Sequence, residues 1–563
     1  MKQLIECVPN FSEGRDPAVI RQITDVIESV EGVKLLDVDP GKATNRTVVT
    51  FVGEPEAVIQ AAFLAIQKAG EVIDMRQHTG EHPRMGATDV CPLIPIAHIS
   101  MAETADWARR LGERVGRELE LPIFLYEAAA SRPERQNLAT IRAGEYEGLA
   151  EKLKQSDWQP DYGPARFDAQ RGATVIGARD FLIAYNVNLN TTSVRRANSV
   201  AFDIREKGRV LHDPATGKPL KDERGEPVRQ PGLLQGVKAI GWYIEEYGIA
   251  QISMNITDTR RTTLQEAFEA CCESAQRRGM RVTGSELVGL VPRAVMLEAG
   301  RYFLRKQQRS TGISEGELIK IAIKSMGLDE LAPFDPQRKI IEYNLEAEHL
   351  APGKLLIHKD LRAFADETAS ESPAPGGGSI SAYVGALGVS LATMVANLSS
   401  HKRGWDERWE EFSNAAERGQ KLKDLLLRAV DEDTNAFNAI MAAFGLPNHT
   451  PEEKTARKAA VQAATRQAIE VPYRVMQQSL ESFQLIREMA EQGNPNSVTD
   501  AGVGALCARA AVHGALLNVK INAGGLDDKE YARTVVEAGD KMAVEADRLE
   551  GEILAVVRGK MSN

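Results

Sequence analysis

The segment RQHTGEHPRMGATD (76–89) gathers His78, Glu81, His82, Arg84 and Asp89. Imidazole titrates near neutral pH, so a histidine on a loop held by a scaffold suits general acid–base chemistry. Gly80, Pro83 and Gly86 keep the segment irregular. The two histidines therefore do not share a helix face, as a His-x-x-x-His zinc pair would require, and no metal is expected. A solvated polar loop is the alternative reading. Asp37 and Asp39 close the strand-like run VKLLDVD (33–39). A carboxylate there can orient an imidazole or a substrate cation, or simply form an Asp-Pro-Gly turn. PDYGPARFDAQRGA (160–173) carries Arg166 and Arg171, which suit an anion clamp or a plain connection.

Three further clusters lie downstream. APGGGSISAYVGALG (374–388) is a glycine run opening a helix, where backbone N–H groups can hold an anion or allow tight packing. No GxxxxGK[ST] motif occurs and no GxGxxG follows a strand, so no nucleotide is expected. LRAVDEDTNAF (427–437) sets Asp431, Glu432 and Asp433 in a helical pattern. One of them, turned inward, would have a raised pKa and could shuttle a proton, while the others form a solvated face. The run 493–522 holds Asp500, His513, Asn518 and Asn522. Asn518 and Asn522, four apart, share a helix face and must hydrogen-bond to a ligand or to other helices.

The elements that must position these groups alternate between strand and helix in the first part. LIECV (4–8), VKLLDVD (33–39), RTVVTFVG (46–53), DVCPLIPI (89–96) and IFLYEA (123–128) read as strands; 17–30, 54–69 and 102–119 read as helices. The same order recurs at 180–189, 192–207, a hairpin over 237–258 turned near Tyr247-Gly248, 264–278 and 282–291. This is the β-α-β-β-α-β order of a split βαβ unit, used twice. HDPATGKPLKDERGEPVRQPG (212–232) reads as a mobile surface loop. Of the 25 prolines, 21 precede Gly376. The chain beyond Gly376 is rich in helix formers and reads as long helices: 380–398, 406–444, 451–486 interrupted at VPY (471–473), 499–522 and 528–558. The expected fold is an α/β N-terminal part of two split βαβ-like subdomains, 1–180 and 181–343. A linker at 344–353 and an all-α domain at 354–563 complete the chain.

Length and composition narrow the function classes. The 563 residues make roughly three to four domains at about 150 residues each. A net charge of -10 excludes a general nucleic-acid binder and demands a local basic pocket for any anionic ligand. Five scattered cysteines without a CxxC pair fit a reducing compartment. The N-terminus lacks a signal-like apolar run and no long uninterrupted apolar stretch occurs. A cytoplasmic protein with no membrane partner is expected.

The motifs together resemble one family. ECVPNFSEGR (6–15), LLDVD and TNRTV (35–48), GEHPRMGATDVCP (80–92), RAGEYEGL (142–149) and IIEY (340–343) are similar to glutamate formimidoyltransferase. SPAPGGGS (372–379), VDEDTNAF (430–437), TPEEK (450–454) and NVKIN (518–522) are similar to the cyclodeaminase/cyclohydrolase group. In that order, and nearly end to end, the chain resembles the bifunctional formimidoyltransferase-cyclodeaminases of histidine degradation.

The resemblance implies two reactions. The first moves the formimidoyl group of N-formimidoyl-L-glutamate to N5 of tetrahydrofolate, a co-substrate expected in polyglutamylated form. The second closes 5-formimidoyltetrahydrofolate to 5,10-methenyltetrahydrofolate and releases ammonia. By resemblance His82 is the transferase catalytic residue with Asp39 as helper. The folate-contacting loop is Gly163, Pro164, Ala165, Arg166, Phe167, Asp168, Ala169, Gln170, Arg171 and Gly172. Asp433, or its neighbour Asp431, carries the cyclodeaminase proton. Lys402 and Arg403 are candidate polyglutamate contacts, and a homo-oligomer built from dimers is implied. The alternatives are a transferase with an inactive helical domain and a non-catalytic folate-binding or scaffold protein.

Overall fold

The computed structural model describes residues 3–80, 82–344 and 355–562. The expected linker at 344–353 lies, but for Asn344, outside them, as does Glu81. The residues group into two compact units, one of 1–299 with 323–346, the other of 300–322 with 347–563.

Among the described residues the α/β unit contains two main sheets and a two-stranded ladder. The first is built from β1 (Leu4–Cys7), β2 (Asn10–Phe11), β3 (Val33–Gly41), β4 (Arg46–Gly53), β5 (Thr88–Ala97), β6 (Ile123–Glu127) and β7 (Thr174–Ala178). Strand β3 pairs with β4, both β1 and β2 pair with β4 and β5, and all of these are antiparallel. Strand β7 then joins β5 and β6 in parallel. Side chains alternate across a strand. One set, including Ile5, Cys7, Val49, Phe51, Cys91 and Leu93, is buried with α1 (Pro17–Glu28), α2 (Pro55–Val72) and α3 (Met101–Glu118). The other set faces a cleft.

Further on come α4 (Leu138–Arg142), α5 (Glu145–Lys152), β8 (Ile183–Leu189) and α6 (Val194–Ile204). The short β9 (Arg209–Val210) and β10 (Arg229–Gln230) precede β11 (Val237–Ile244) and β12 (Ile249–Ile256). Then come α7 (Leu264–Gln276) and β13 (Val282–Val288). The second sheet has the order β11-β12-β8-β13, all antiparallel, which is the split βαβ arrangement expected. The core of the first sheet, β3-β4-β1-β5, repeats it, with β7 and β6 added. Residues 212–232, expected as a mobile surface loop, form exposed turns tied by the β9–β10 ladder and by bridges at His212–Pro219 and Lys221–Pro227.

The chain continues through α8 (Arg293–Lys306), α9 (Glu315–Met326) and α10 (Pro336–Lys339). The helical unit then holds α11 (Leu361–Thr368), α12 (Gly377–Ser400), α13 (Trp409–Phe444), α14 (Pro451–Gln492), α15 (Val498–Gly524) and α16 (Lys529–Met561). Helix α12 is apolar almost all round and packs against α13, α14 and α15. It meets α15 where a Cβ at Gly388 would lie 2.9 Å from the Gly504 carbonyl oxygen, so only glycine allows the crossing. Two segments, Gly377–Ser400 and 495–524, are long and apolar enough to cross a membrane. At least half of each is buried inside the unit.

Helix α14 runs unbroken through Pro472, contrary to the expected interruption. Proline removes the N–H that the Ala468 carbonyl would have received. The Asn522 amide of α15 supplies the missing donor, Nδ2 to Ala468 O at 2.8 Å. Packing and one side chain thus hold the helix together where propensity opposes it.

Candidate active sites

The cleft of the α/β unit has a volume of about 1180 Å³. Glu6, Val8, Asn10, Arg46, Val48, Thr50, Val90, Pro92 and Tyr126 form its floor. Asn186, Gln251, Ser253, Asn255 and Glu286 of the second sheet face them. His82 enters from a loop and Arg142 from the end of α4.

His82 is held at both ring nitrogens. Nδ1 lies 2.7 Å from its neighbour's carbonyl, Pro83 O, which places the N–H on Nδ1. Arg46 Nη1 lies against both ring nitrogens, and with the N–H on Nδ1 the lone pair that can accept from it is that of Nε2. Burial, then Arg46, then Arg142 hold the imidazole well below its usual pKa, so it is neutral at pH 7. Arg46 also donates from Nε to Asn10 Oδ1 at 2.9 Å. Burial, and then the neighbouring Arg142, pull the guanidinium down to about 9. Among the described residues the carboxylate between the arginines is Asp89, 1% exposed. It accepts from Arg142 Nε at 3.3 Å and lies 3.9 Å from Arg46. Two cations against one anion leave a positive potential beside a neutral base, which suits a substrate carboxylate.

Local structure explains the placement. Asn45, at φ 47°, donates to Thr79 O at 3.0 Å and accepts from Gly14 N–H at 3.0 Å. It thereby ties the turn before Arg46 to the histidine loop. His78 is a structural post: Nε2 lies 2.8 Å from Asn45 O, and Arg84 Nε donates to Nδ1 at 3.3 Å. Arg84 in turn pairs with Glu145 at 3.2 Å and Glu147 at 2.7 Å, joining the GEHPR and RAGEYEGL motifs. Lys152 Nζ donates to the carbonyls of Ile141, at 2.5 Å, and Ala143, at 2.7 Å, on either side of Arg142. Among the described residues no group of three or more metal-ligating side chains gathers.

Asp39 lines the same cleft but does not touch His82. Its Oδ2 accepts from Gly289 N–H at 2.8 Å and faces Lys339 Nζ at 3.4 Å. The loop from Gly163 to Gly172 is also apart from His82, and none of its ten residues lines the cleft. Gly163, Pro164 and Arg166 border a shallow depression of about 470 Å³ with Glu113, Arg117, Glu120 and Tyr162. Phe167 packs on Tyr146 with ring centroids 5.5 Å apart. Asp168 pairs with Arg171 at 2.8 Å. Gln170 donates to Gly70 O at 3.3 Å, and the Ala169 carbonyl accepts from the Tyr146 hydroxyl. Ala165 adds no side-chain polar group. The loop's far end meets the histidine segment: Ala87 N–H donates to Arg171 O at 2.8 Å, and Gly172 bridges Gly86.

In the helical unit the two candidate acids point to opposite ends of a chemical choice. Asp431 accepts from the amides of Leu356, at 2.7 Å, and Ile357, at 3.4 Å, and so caps a short turn. Asp433 faces the glycine-rich start of α12. Its Oδ2 accepts from Ser379 Oγ at 2.9 Å. A Cβ on Gly378 would lie 2.1 Å from Oδ1, so this approach needs glycine. Burial raises the Asp433 pKa, and the Ser379 hydroxyl and N–H oppose the rise. The Asn518 amide lies beside Gly377 at the same helix end. Glu432 pairs with Arg474 on the surface. His513 pairs with Asp547 at 2.9 Å on the exposed side of α15. Lys402 and Arg408 stack on Trp405, 3.9 and 5.1 Å from its ring centroid.

Sequence reasoning missed Arg46, Arg142 and Glu6. Each stands inside a motif that carries the family resemblance, but no spacing rule distinguishes a cleft-facing arginine from a surface one.

Comparison with known proteins gives a consistent assignment. Three family models match in order: the formiminotransferase domain N-terminal subdomain at 4–179, the formiminotransferase domain at 184–346 and formiminotransferase-cyclodeaminase at 360–541. The chain is 43% identical to formimidoyltransferase-cyclodeaminase of Rattus norvegicus over 531 residues, 94% of each protein. It is 42% identical to glutamate formimidoyltransferase of Streptococcus pyogenes, covering 54% of this chain and 94% of that one. It is 37% identical to methenyltetrahydrofolate cyclohydrolase of Methylorubrum extorquens, covering 36% of this chain and 99% of that one. Two units, each matched by its own relatives, and a relative that matches nearly the whole chain lead to one conclusion: the chain belongs to the formimidoyltransferase-cyclodeaminase family.

Proposed function

We propose that the chain catalyses two successive folate reactions, one in each unit. The observation that carries the reading is the neutral His82 set beside two arginines that share a single buried carboxylate. The α/β unit transfers the formimidoyl group of N-formimidoyl-L-glutamate to tetrahydrofolate. Arg46 and Arg142 take the glutamate carboxylates. Their charge is then neutralised, which lifts the His82 pKa toward neutrality. N5 attacks the amidine carbon, and its proton passes to His82 Nε2. The bond from that carbon to the glutamate nitrogen breaks, and His82 returns the proton to the departing amine. Asp39 and Lys339 form the far wall.

The helical unit closes the product. N10 attacks the amidine carbon of protonated 5-formimidoyltetrahydrofolate, and the exocyclic nitrogen leaves as ammonia. Asp433 takes the N10 proton and delivers it to that nitrogen, a role its raised pKa supports. Asp431 is assigned to structure, since two backbone amides already occupy it.

The finer expectations join this proposal. The co-substrate is polyglutamylated tetrahydrofolate, with no metal or nucleotide required, and the 163–172 loop contacts folate. The protein works in the cytoplasm of a histidine-degrading cell, which its five free cysteines support. It assembles from dimers of the helical unit. Leu517 and Ile521 on α15 are 70% and 76% exposed, and Val503 and Leu506 continue that row. A second copy would cover this apolar surface.

The test is a coupled assay of purified protein with formimidoylglutamate and tetrahydrofolate. Methenyl-folate absorbance and ammonia should rise together. Accumulation of 5-formimidoyltetrahydrofolate without either would retire the cyclodeaminase assignment.

A further inference from the structure

One buried carboxyl in the cleft has no part in either reaction. Glu6 sits on β1 between Ile5 and Cys7, which turn to the core, and it faces the cleft. It is 2% exposed, and its Oε2 has no hydrogen-bond partner. Buried polar atoms are normally paired, so this oxygen lacks a donor that a ligand can bring. Arg179 is the cation opposing the burial, which pushes Glu6 up to about 7. Near neutral pH the carboxyl is therefore divided between its neutral and charged forms, and N–H donors from a ligand would draw it to the charged, accepting form.

The position of Glu6 selects among the ligand groups. It stands opposite Val52 of β4, while Asn10, which holds Arg46 beside His82, stands opposite Val48 of the same strand. Four residues of strand span ~13 Å at about 3.3 Å each. The glutamate carboxylates would be repelled by Glu6 and attracted by Arg46 and Arg142. The formimidoyl group has paired nitrogens too, but it must sit at His82 to react. A bicyclic pterin whose N5 sits at His82 extends its 2-amino edge away from that residue along the cleft, on the side where Glu6 lies.

We propose that Glu6 binds the reduced pterin, its carboxylate accepting the adjacent N3–H and 2-amino N–H donors while N5 faces His82. This rests on the transferase reading of the cleft. It makes Glu6 the residue that selects a 2-amino-4-oxo ring and fixes which face of N5 meets the amidine carbon.

The experiment compares wild type, Glu6→Gln and Glu6→Asp in the full chain. Gln keeps the size but presents an N–H₂ where the pterin also donates. The KM for tetrahydrofolate should rise at least tenfold in Glu6→Gln, with partial recovery in Glu6→Asp. The KM for formimidoylglutamate should stay within twofold. A rise confined to the formimidoylglutamate KM would mean that Glu6 reads the amidine, and would overturn the proposal. No change in either constant would overturn it as well, leaving Glu6 a buried acid of the sheet. Binding of 5-formyltetrahydrofolate, read by calorimetry, separates the Glu6 assignment from the transferase reading. If wild type transfers nothing but Glu6→Gln weakens that binding tenfold, the transferase assignment fails and the Glu6 assignment stands. Equal binding by both proteins overturns the Glu6 assignment.

Discussion

His82 and Glu6 illustrate two costs that a folded chain bears at the place where it works. His82 is kept neutral by burial and by two guanidinium groups, and Glu6 is buried without a partner for one oxygen. The Glu6 shift gives a signed prediction. The folded state holds the proton up to about pH 7, whereas the unfolded carboxyl releases it near 4.5. The folded state therefore binds more protons between these values, and stability falls as pH rises through them. The linkage amounts to about 3 kcal/mol. Glu6→Gln should be close to neutral in stability at pH 4.5 and stabilising by up to that amount at pH 8. Denaturant melts of the α/β unit would read it, and a difference that does not change with pH would refute it. At this scale the histidine was legible because its loop is dense in reactive types. Arg46 and Arg142 were not, because their function depends on which face of β4 and which end of α4 they occupy. Between Asp431 and Asp433 the resemblance favoured Asp433, while spacing alone offered no choice. Two residues apart on one helix they face different neighbours, and only the fold says which neighbour is a helix start.

Elements decide whether these groups meet. Strands β1, β4 and β5 read clearly from their apolar, β-branched runs. Strand β7, TVIGA, escaped because its five residues are all buried and carry no alternation. The unbroken α14 escaped because the compensation lies in another helix. If Asn522 repairs the Pro472 defect, Asn522→Leu should cost about 1–3 kcal/mol, the penalty of an orphaned buried carbonyl. In a Pro472→Ala background, where the helix regains its own N–H, the same change should cost measurably less. A double-mutant cycle on thermal or denaturant unfolding checks this, and purely additive effects would contradict it. The start of α12 gives a sharper case. Gly378→Ala places a methyl on the Asp433 carboxylate. Cyclisation should fall at least tenfold while formimidoyl transfer is unchanged. Equal loss of both would mean that the substitution unfolds more than its own site.

The whole molecule joins two folds with separate cores and separate chemistry. The change from mixed strand-and-helix to all-helical structure was legible from proline usage and helix-forming composition. The grouping of 300–322 with the helical unit was not. It depends on side chains such as Asn397, whose Nδ2 donates to Gly312 O at 2.8 Å. At this scale the exposed row on α15 predicts assembly. Leu517→Glu with Ile521→Glu should lower the molar mass seen by light scattering, without unfolding the helices. An unchanged mass would remove that row from any interface.

The central claim is that one chain holds two independent proton-transfer sites. The most direct measurement tracks both half-reactions in His82→Ala and Asp433→Asn. Transfer is assayed as formimidoylglutamate consumed, and cyclisation as methenyl-folate formed from supplied 5-formimidoyltetrahydrofolate. His82→Ala should lose transfer by about 10²–10⁴-fold, the usual worth of a general acid–base group, and keep cyclisation within twofold. Asp433→Asn should do the reverse, and an equal mixture of the two proteins should restore the coupled reaction. Loss of both activities in either variant, or retention of both, would contradict the account.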